Sequence, residues 1–130
     1  MAVQLASSVD AKALSGPGLR AFFRIADLWK LSVAEQRALL GHPPKSTFFN
    51  WKKGVGTLSR DTLERISHVL GIYKSLQILL PRPDSADTWV KRPNNGAPFG
   101  GKPALERMLK GMGDLYTVRQ YLDAQRGGWA

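Results

Sequence analysis

Turn-forming residues divide the centre of this sequence into two short stretches, and that spacing limits what the chain can fold into. The first stretch, "SVAEQRALL", begins at Ser32 and is followed by Gly41 and then by Pro43 and Pro44. The second, "KSTFFNWKK", follows the prolines directly and is closed by Gly54. Apolar residues recur at helical intervals in both, whereas glycine and proline end helices. We therefore predict two helices of about eight residues each, joined by a tight turn.

Helix-start signals and apolar spacing predict more helices on both sides of this pair. Ser32 and Glu35 have the spacing of a capping box, and Ser59 can cap the next helix. The stretch "LRAFFRIADLWKL" predicts a helix before the pair. Residues 59–80 predict two helices after it, separated at Gly71. No segment alternates apolar and polar residues as a β-strand does, so the predicted fold is all-α.

The composition of the chain changes near residue 81. Residues 81–101 are rich in proline, glycine, asparagine and aspartate, which predicts a linker with turns. After it, Pro103 suits the first turn of one helix, and Asp114 suits the N-cap of a last one. We predict three parts: a flexible tail over 1–16, a five-helix bundle over 17–80, and a linker with a small helical domain over 81–130.

The composition also argues against several classes of protein. The chain has no cysteine, which excludes disulfides and cysteine zinc sites, and its two histidines match no metal-binding motif. No apolar run approaches the ~20 residues of a membrane span. The first residues, "MAVQLASSVD", lack the basic start and the apolar segment of a signal peptide. We expect a soluble cytoplasmic protein that carries no metal or cofactor and does not enter a membrane.

One motif in the C-terminal part resembles a nucleotide-binding loop. The stretch "GAPFGGK" contains the G-x-x-x-x-G-K of a P-loop, but Pro103 stands where a Ser or Thr hydroxyl would ligate Mg²⁺. The preceding "TWVKRPNN" is too polar for the buried strand that a P-loop follows. We interpret the match as a turn that leads into a helix. No other catalytic motif is found, so we predict no catalytic residue and no enzymatic activity.

The basic charge of the chain points to a polyanion partner. The formal net charge is +9, and between Pro44 and Arg60 there are four basic residues and no acidic one. Such a surface favours nucleic acid, although a solvated basic face on an ordinary helical bundle fits the same charge. Helix length, charge and turn placement together favour a helix-turn-helix, whose second helix enters the major groove of DNA.

Helical spacing assigns two faces to this second helix. Phe48 and Trp51, three residues apart, fall on the face that packs against the protein. The opposite face carries side chains suited to DNA, because asparagine pairs with adenine, lysine reaches guanine, and hydroxyls at a helix start favour phosphate. The predicted DNA-binding residues are Lys45, Ser46, Thr47, Phe49, Asn50, Lys52, Lys53 and Arg60.

The two parts of the chain together resemble a known family. The stretches "LSVAEQRALLGHPPKSTFFNWKKG" and "LSRDTLERISHVLGIYKSLQILLP" resemble the Xre-like helix-turn-helix region of the Xre/MbcA/ParS antitoxins. The stretch "NNGAPFGGKPALERMLKGMGDLYTVRQYLDAQRGGW" resembles the C-terminal toxin-binding domain of the same family. One departure is Phe49, at a position where repressors of this kind usually carry a polar residue.

The resemblance implies a type II antitoxin. Its partner would be a RES-domain toxin that degrades NAD⁺, and the C-terminal domain would cover the active site of that toxin. The resemblance also implies homodimers, larger antitoxin–toxin assemblies and repression of the shared operon through operator DNA. The alternative is a free-standing helix-turn-helix repressor whose C-terminal region is a dimerisation or ligand module. The neighbouring reading frame distinguishes the two, because only the antitoxin requires a toxin gene there.

Two segments of the C-terminal part are the candidate toxin-binding elements under this resemblance. One is the glycine turn that precedes Pro103, and the other is the tail "RGGWA". Glycines permit close backbone approach, an arginine suits a pocket that binds phosphates, and a tryptophan ring fills an apolar cleft. The predicted toxin-binding residues are Phe99, Gly100, Gly101, Lys102, Arg107, Arg126, Gly127, Gly128 and Trp129.

Overall fold

The computed structural model describes residues 16–127, which form seven α-helices and one short 3₁₀ helix without a β-strand. Residues 16–28 form α1. The other elements are α2 (Val33–Leu39), α3 (Lys45–Lys52), α4 (Arg60–Leu79), α5 (Pro83–Thr88), the 3₁₀ helix (Trp89–Lys91), α6 (Ala104–Met108) and α7 (Met112–Arg126). The all-α prediction is confirmed. Within the described range, no helix is long and apolar enough to cross a membrane. The predicted tail over 1–16, apart from its last residue, lies outside the described residues, as do residues 128–130.

The helix-turn-helix forms where the local signals predict it. The Glu35 N–H donates to Ser32 Oγ at 3.0 Å, and the Ser32 N–H donates to Glu35 Oε1 at 2.8 Å, which completes the capping box at the start of α2. Gly41 follows the helix with a φ of +93°, a conformation that glycine adopts without steric cost. The Arg37 guanidinium then donates to the Pro43 carbonyl at 2.9 Å and so ties the turn to α2.

Helix α3 is held by aromatic side chains on its inner face. Phe48 is completely buried and Trp51 is 8% exposed, as the helical spacing predicts. The ring of Phe48 meets the ring of Phe23 on α1 edge-on, with centroids 5.6 Å apart. Because these contacts fix the rotation of α3 about its axis, they also determine which side chains face solvent.

The prediction of two helices over residues 59–80 is wrong, because α4 is one helix of 20 residues. Ser59 caps it as predicted, its Oγ accepting from the Thr62 N–H at 3.2 Å. Gly71 lies inside the helix and does not interrupt it. A glycine costs a helix about 1 kcal/mol relative to alanine, which tertiary packing can offset. Residues 17–80 therefore contain four helices instead of the five predicted.

Gly71 has a packing role that its sequence context does not reveal. A Cβ atom built at Gly71 would lie 2.5 Å from Arg119 Nε, so the guanidinium of α7 occupies the space that a larger residue would need. Helix α7 packs along α4 at this point. The absence of a side chain at Gly71 therefore leaves room for the Arg119 guanidinium to pack against α4.

Polar contacts reinforce the packing of α7 on α4. The completely buried Ser75 donates its hydroxyl proton to Asp123 Oδ1 at 3.1 Å. Arg119 Nη1 lies 3.3 Å from the Ser67 carbonyl oxygen, to which it donates, and 3.2 Å from His68 Nδ1. Burial, and secondarily the charge of Arg119, lowers the pKa of His68 below its ordinary value. The last helix is thus bound to the longest helix of the N-terminal part.

The segment predicted as a linker is partly helical and contributes to the core. It contains α5 and the 3₁₀ helix, within which Ala86 and Val90 are completely buried. Further along, the ring of Phe99 packs edge-on against Trp89 and against Tyr121 of α7, with centroid distances of 5.8 and 5.1 Å. The abundance of proline and glycine correctly indicates turns here, but the segment packs on α7.

The predicted N-cap role of Asp114 is also wrong. Helix α7 begins at Met112 with Gly111 as its N-cap, which places Asp114 inside the first turn. Its carboxylate accepts from Arg107 Nε at 2.9 Å. An acidic side chain in the first turn is still favourable there, because it faces the positive end of the helix dipole.

Candidate functional sites

The outer face of α3 presents the predicted DNA-binding residues together. Most of these residues are exposed, and Thr47 is partly buried. The exposed ones on α3 and in the turn after it are Lys45, Ser46, Phe49, Asn50, Lys52 and Lys53. Arg60 is exposed at the first position of α4. The stretch from Lys45 to Arg60 contains no acidic residue, so none of its own side chains neutralises its positive charge. Such a surface can contact phosphates and the edges of bases in a major groove.

The structure adds Arg20 to this basic surface. Arg20 is exposed on α1 and lines a cavity of about 460 Å³ together with Lys52 and Lys53. Lys52 Nζ lies 6.0 Å from the centroid of the Phe23 ring, which keeps its ammonium group near α1. Sequence analysis did not select Arg20, although its position on the polar face of α1 is readable from the apolar spacing of that helix.

The turn after α3 presents a further side chain that sequence analysis missed. Gly54 and Gly56 have φ values of +82° and +103°, and Val55 between them is 57% exposed. The Val55 N–H donates to the Asn50 carbonyl at 2.9 Å, which anchors the turn to α3. Val55 therefore lies at the end of the candidate DNA-binding face.

The predicted toxin-binding residues near Pro103 divide into buried and exposed ones. Phe99 is 5% exposed and belongs to the core. Arg107 donates to Asp114 Oδ1 and, through Nη1, to the Pro98 carbonyl, both at 2.9 Å. Phe99 thus packs inside the turn, whereas the Arg107 side chain is 35% exposed and its guanidinium is engaged by these hydrogen bonds.

The exposed part of this turn is Gly100, Gly101 and Lys102. The two glycines have φ values of +58° and +85°, in the left-handed region that side-chain-bearing residues rarely adopt. The Gly101 N–H donates to the Asn94 carbonyl at 2.8 Å, so the backbone of the turn is fixed. The Lys102 side chain is 70% exposed and lies 3.6 Å from Glu106, a surface pair worth little energy.

The end of α7 carries the start of the predicted tail element. Arg126 and Gly127 are exposed and line a cavity of about 440 Å³ whose wall also includes Lys74 and Arg119. The cavity at the end of α7 is therefore lined mainly by basic side chains. Asp123 is the acidic residue in its lining. Gly128 and Trp129 lie outside the described residues.

Comparison with protein families identifies the two parts of the chain as known domains. Residues 8–71 match the antitoxin Xre-like helix-turn-helix domain. Residues 75–128 match the antitoxin Xre/MbcA/ParS C-terminal toxin-binding domain. The chain belongs to the Xre/MbcA/ParS antitoxin family. The resemblance read from the sequence is thereby confirmed, and α2 and α3 are the helix-turn-helix of a family antitoxin.

A curated relative of this antitoxin is an uncharacterized protein, y4oB, of Sinorhizobium fredii. The two are 58% identical over 111 residues, which cover 85% of this chain and 84% of the relative. The similarity therefore extends over both family domains. No solved structure significantly matches the chain.

Proposed function

We propose that this antitoxin neutralises a RES-domain toxin that degrades NAD⁺, and that it represses the operon encoding both proteins. The observation that carries the proposal is the succession of two matched domains, a helix-turn-helix and then a toxin-binding domain. The family resemblance supplies the RES class of the toxin, the homodimer and the larger antitoxin–toxin assembly. Because operator DNA and NAD⁺ are both cytoplasmic, we place the protein in the cytoplasm.

Operator binding would use the outer face of α3 in the major groove. Asn50 is exposed near the middle of this face and can pair bidentately with adenine. Lys52 and Arg60 flank the helix end and are suited to phosphates, which fix the position of the protein on the duplex. The cavity shared by Arg20 and α3 extends this phosphate-binding surface to α1.

We expect the substitutions Asn50→Ala and Lys52→Ala to weaken operator binding in different ways. Loss of a base contact at Asn50 should cost about 1–3 kcal/mol and relax the preference for one base. Loss of a phosphate contact at Lys52 should weaken binding to every duplex. It should also reduce the slope of the logarithm of the binding constant against the logarithm of the salt concentration by about one. Mobility-shift titrations at several salt concentrations measure both effects. Unchanged affinity of both variants would place the recognition surface elsewhere.

Toxin neutralisation would use the exposed turn and the tail as two separate contacts. The turn packs on α7 through Phe99 and Tyr121, whose ring centroids are 5.1 Å apart. Tyr121 precedes Arg126 by five residues, about 8 Å along the helix axis. The same five residues turn Arg126 about 140° around the helix from Tyr121, so Lys102 and Arg126 would contact the toxin at separate points. An arginine suits a pocket that binds the phosphates of NAD⁺, so the antitoxin would block that pocket sterically and take no part in catalysis.

A chain that ends at Gln125 is expected to bind DNA normally and to fail to rescue cells from the toxin. The truncation removes residues 126–130, beyond the last buried residues of α7, so the fold should persist. A chain that lacks Ala130 alone is the matched control and should rescue fully. Growth of cells co-expressing the toxin measures rescue. Full rescue by the chain ending at Gln125 would exclude the tail and move the interface to α6.

The identity of the toxin is tested by co-expression with the product of the neighbouring reading frame. We expect the two proteins to co-purify, and we expect the toxin to consume NAD⁺ only when the antitoxin is absent. Light scattering of the antitoxin alone and of the complex measures the homodimer and the larger assembly. If the neighbouring product is not a toxin and does not co-purify, the free-standing repressor is the better interpretation.

A further inference from the structure

Two apolar side chains project from the basic face that carries Asn50. Phe49 is 43% exposed on α3, and Val55 is 57% exposed in the turn that follows. A single exposed apolar residue is ordinary in a folded protein. Here, however, two of them flank the candidate base-reading residue in a segment without acidic residues. Their position therefore calls for a partner that is both anionic and locally apolar.

The fold fixes the backbone at both positions and gives the Phe49 ring one packing partner. The ring of Phe49 rests edge-on against the completely buried Phe48, with centroids 5.1 Å apart. Val55 is held by its N–H bond to the Asn50 carbonyl and by Gly54 and Gly56, which both have positive φ. The backbone at these two positions does not have to be ordered on binding, so the entropic cost of using them as contacts is reduced.

The major groove of DNA offers one apolar feature to such side chains, the 5-methyl group of thymine. We infer that Phe49 and Val55 contact thymine 5-methyl groups and thereby select thymine at positions beside the base read by Asn50. The inference rests on the proposed operator binding. An apolar wedge between base steps is disfavoured, because wedges act from the minor groove and a recognition helix lies in the major groove.

The choice of DNA over an apolar protein surface follows from charge. Lys45, Lys52 and Lys53 lie three or four residues from Phe49, a spacing that makes them its neighbours on the helix surface, and no acid lies between Pro44 and Arg60. Covering this face with an apolar protein would bury or crowd the ammonium groups without compensation. A duplex neutralises them with phosphates while it presents methyl groups to Phe49 and Val55.

The test replaces thymine by uracil, which removes the methyl group and leaves the hydrogen-bonding edge of the base unchanged. Operator duplexes are first selected from a random library with the full-length chain. At one or more selected thymines, uracil should weaken binding by about fourfold, the effect of one buried methyl. The Phe49→Ala variant should bind the thymine and uracil duplexes with equal affinity if Phe49 contacts the methyl group at that position. The Val55→Ala variant should do so if Val55 makes the contact.

A second comparison adds a 5-methyl group to cytosine, which places the methyl in the major groove at the same location as in thymine. A 5-methylcytosine·guanine pair should bind the wild-type chain more tightly than a cytosine·guanine pair, and the responsible alanine variant should not distinguish them. Lys52→Ala is the control, because loss of a phosphate contact should weaken binding to all these duplexes by one common factor. Equal uracil penalties in the wild type and the alanine variants, or no penalty in the wild type, would overturn the inference. Failure to select any preferred duplex would refute the proposed operator binding as well.

Discussion

Replacing Phe48 by alanine is expected to lower the free energy of unfolding by about 3–5 kcal/mol. Phe48 is completely buried, and its ring packs edge-on against Phe23, so truncation leaves a cavity between α3 and α1. Loss of this anchor should also release the recognition helix and abolish DNA binding at temperatures where the wild type binds. Urea denaturation followed by tryptophan fluorescence measures the stability, and a mobility shift measures the binding.

The matched control for this change is Phe49→Ala, one residue along the same helix. The same atoms are removed, but Phe49 is 43% exposed, so we expect a change in unfolding free energy within about 0.5 kcal/mol. DNA selectivity should change although the fold does not. If the two alanine variants were equally stable, the assignment of an inner and an outer face to α3 would be wrong.

Replacing Phe99 by alanine is likewise expected to cost about 3–5 kcal/mol of stability in the isolated antitoxin. Phe99 is 5% exposed and packs between Trp89 and Tyr121, so the cost arises within the chain and requires no toxin. Neutralisation should weaken as a consequence of unfolding. Denaturation of the antitoxin alone, without its partner, is the decisive measurement.

Lys102→Ala is the control for Phe99→Ala, because it changes an exposed residue in the same turn. Its ion pair with Glu106 is at the surface, so stability should change by no more than about 0.5 kcal/mol. Toxin binding should nevertheless weaken under the proposed function. If the Phe99→Ala variant were as stable as the wild type, Phe99 would lie at the surface, where it could contact the toxin directly.

The packing of α7 on α4 bears on how the two functions can be separated. Leu115, Val118 and Leu122 form the buried face of α7, and α4 lies against that helix. A fragment that starts at residue 81 lacks α4 and exposes this apolar face to water. Truncation of the tail and single substitutions in the full chain are therefore better tests than an isolated C-terminal fragment.

The sequence by itself determined the helix-turn-helix and the two faces of its second helix. Ser32, Glu35 and Gly41 act through hydrogen bonds and backbone angles within a few residues, so their roles are readable without the rest of the fold. The spacing of Phe48 and Trp51 fixed the inner face by helix geometry alone. The stretches that resemble the helix-turn-helix region and the toxin-binding domain together indicated the family.

Only the tertiary structure decided the features that depend on contacts distant in sequence. Gly71 looked like a helix break because glycine weakens helices, yet α4 continues through it, and Arg119 of α7 packs where a side chain at Gly71 would lie. Helix α5 has six residues, too few to be stable in isolation, so its formation depends on burying Ala86. Phe99 is an apolar residue in a glycine turn, and no local signal shows whether such a residue faces a partner or its own core. Phe99 faces its own core because it packs against Trp89 and Tyr121. These side chains come together only when the whole chain has folded, so the sequence around Phe99 does not reveal the contact.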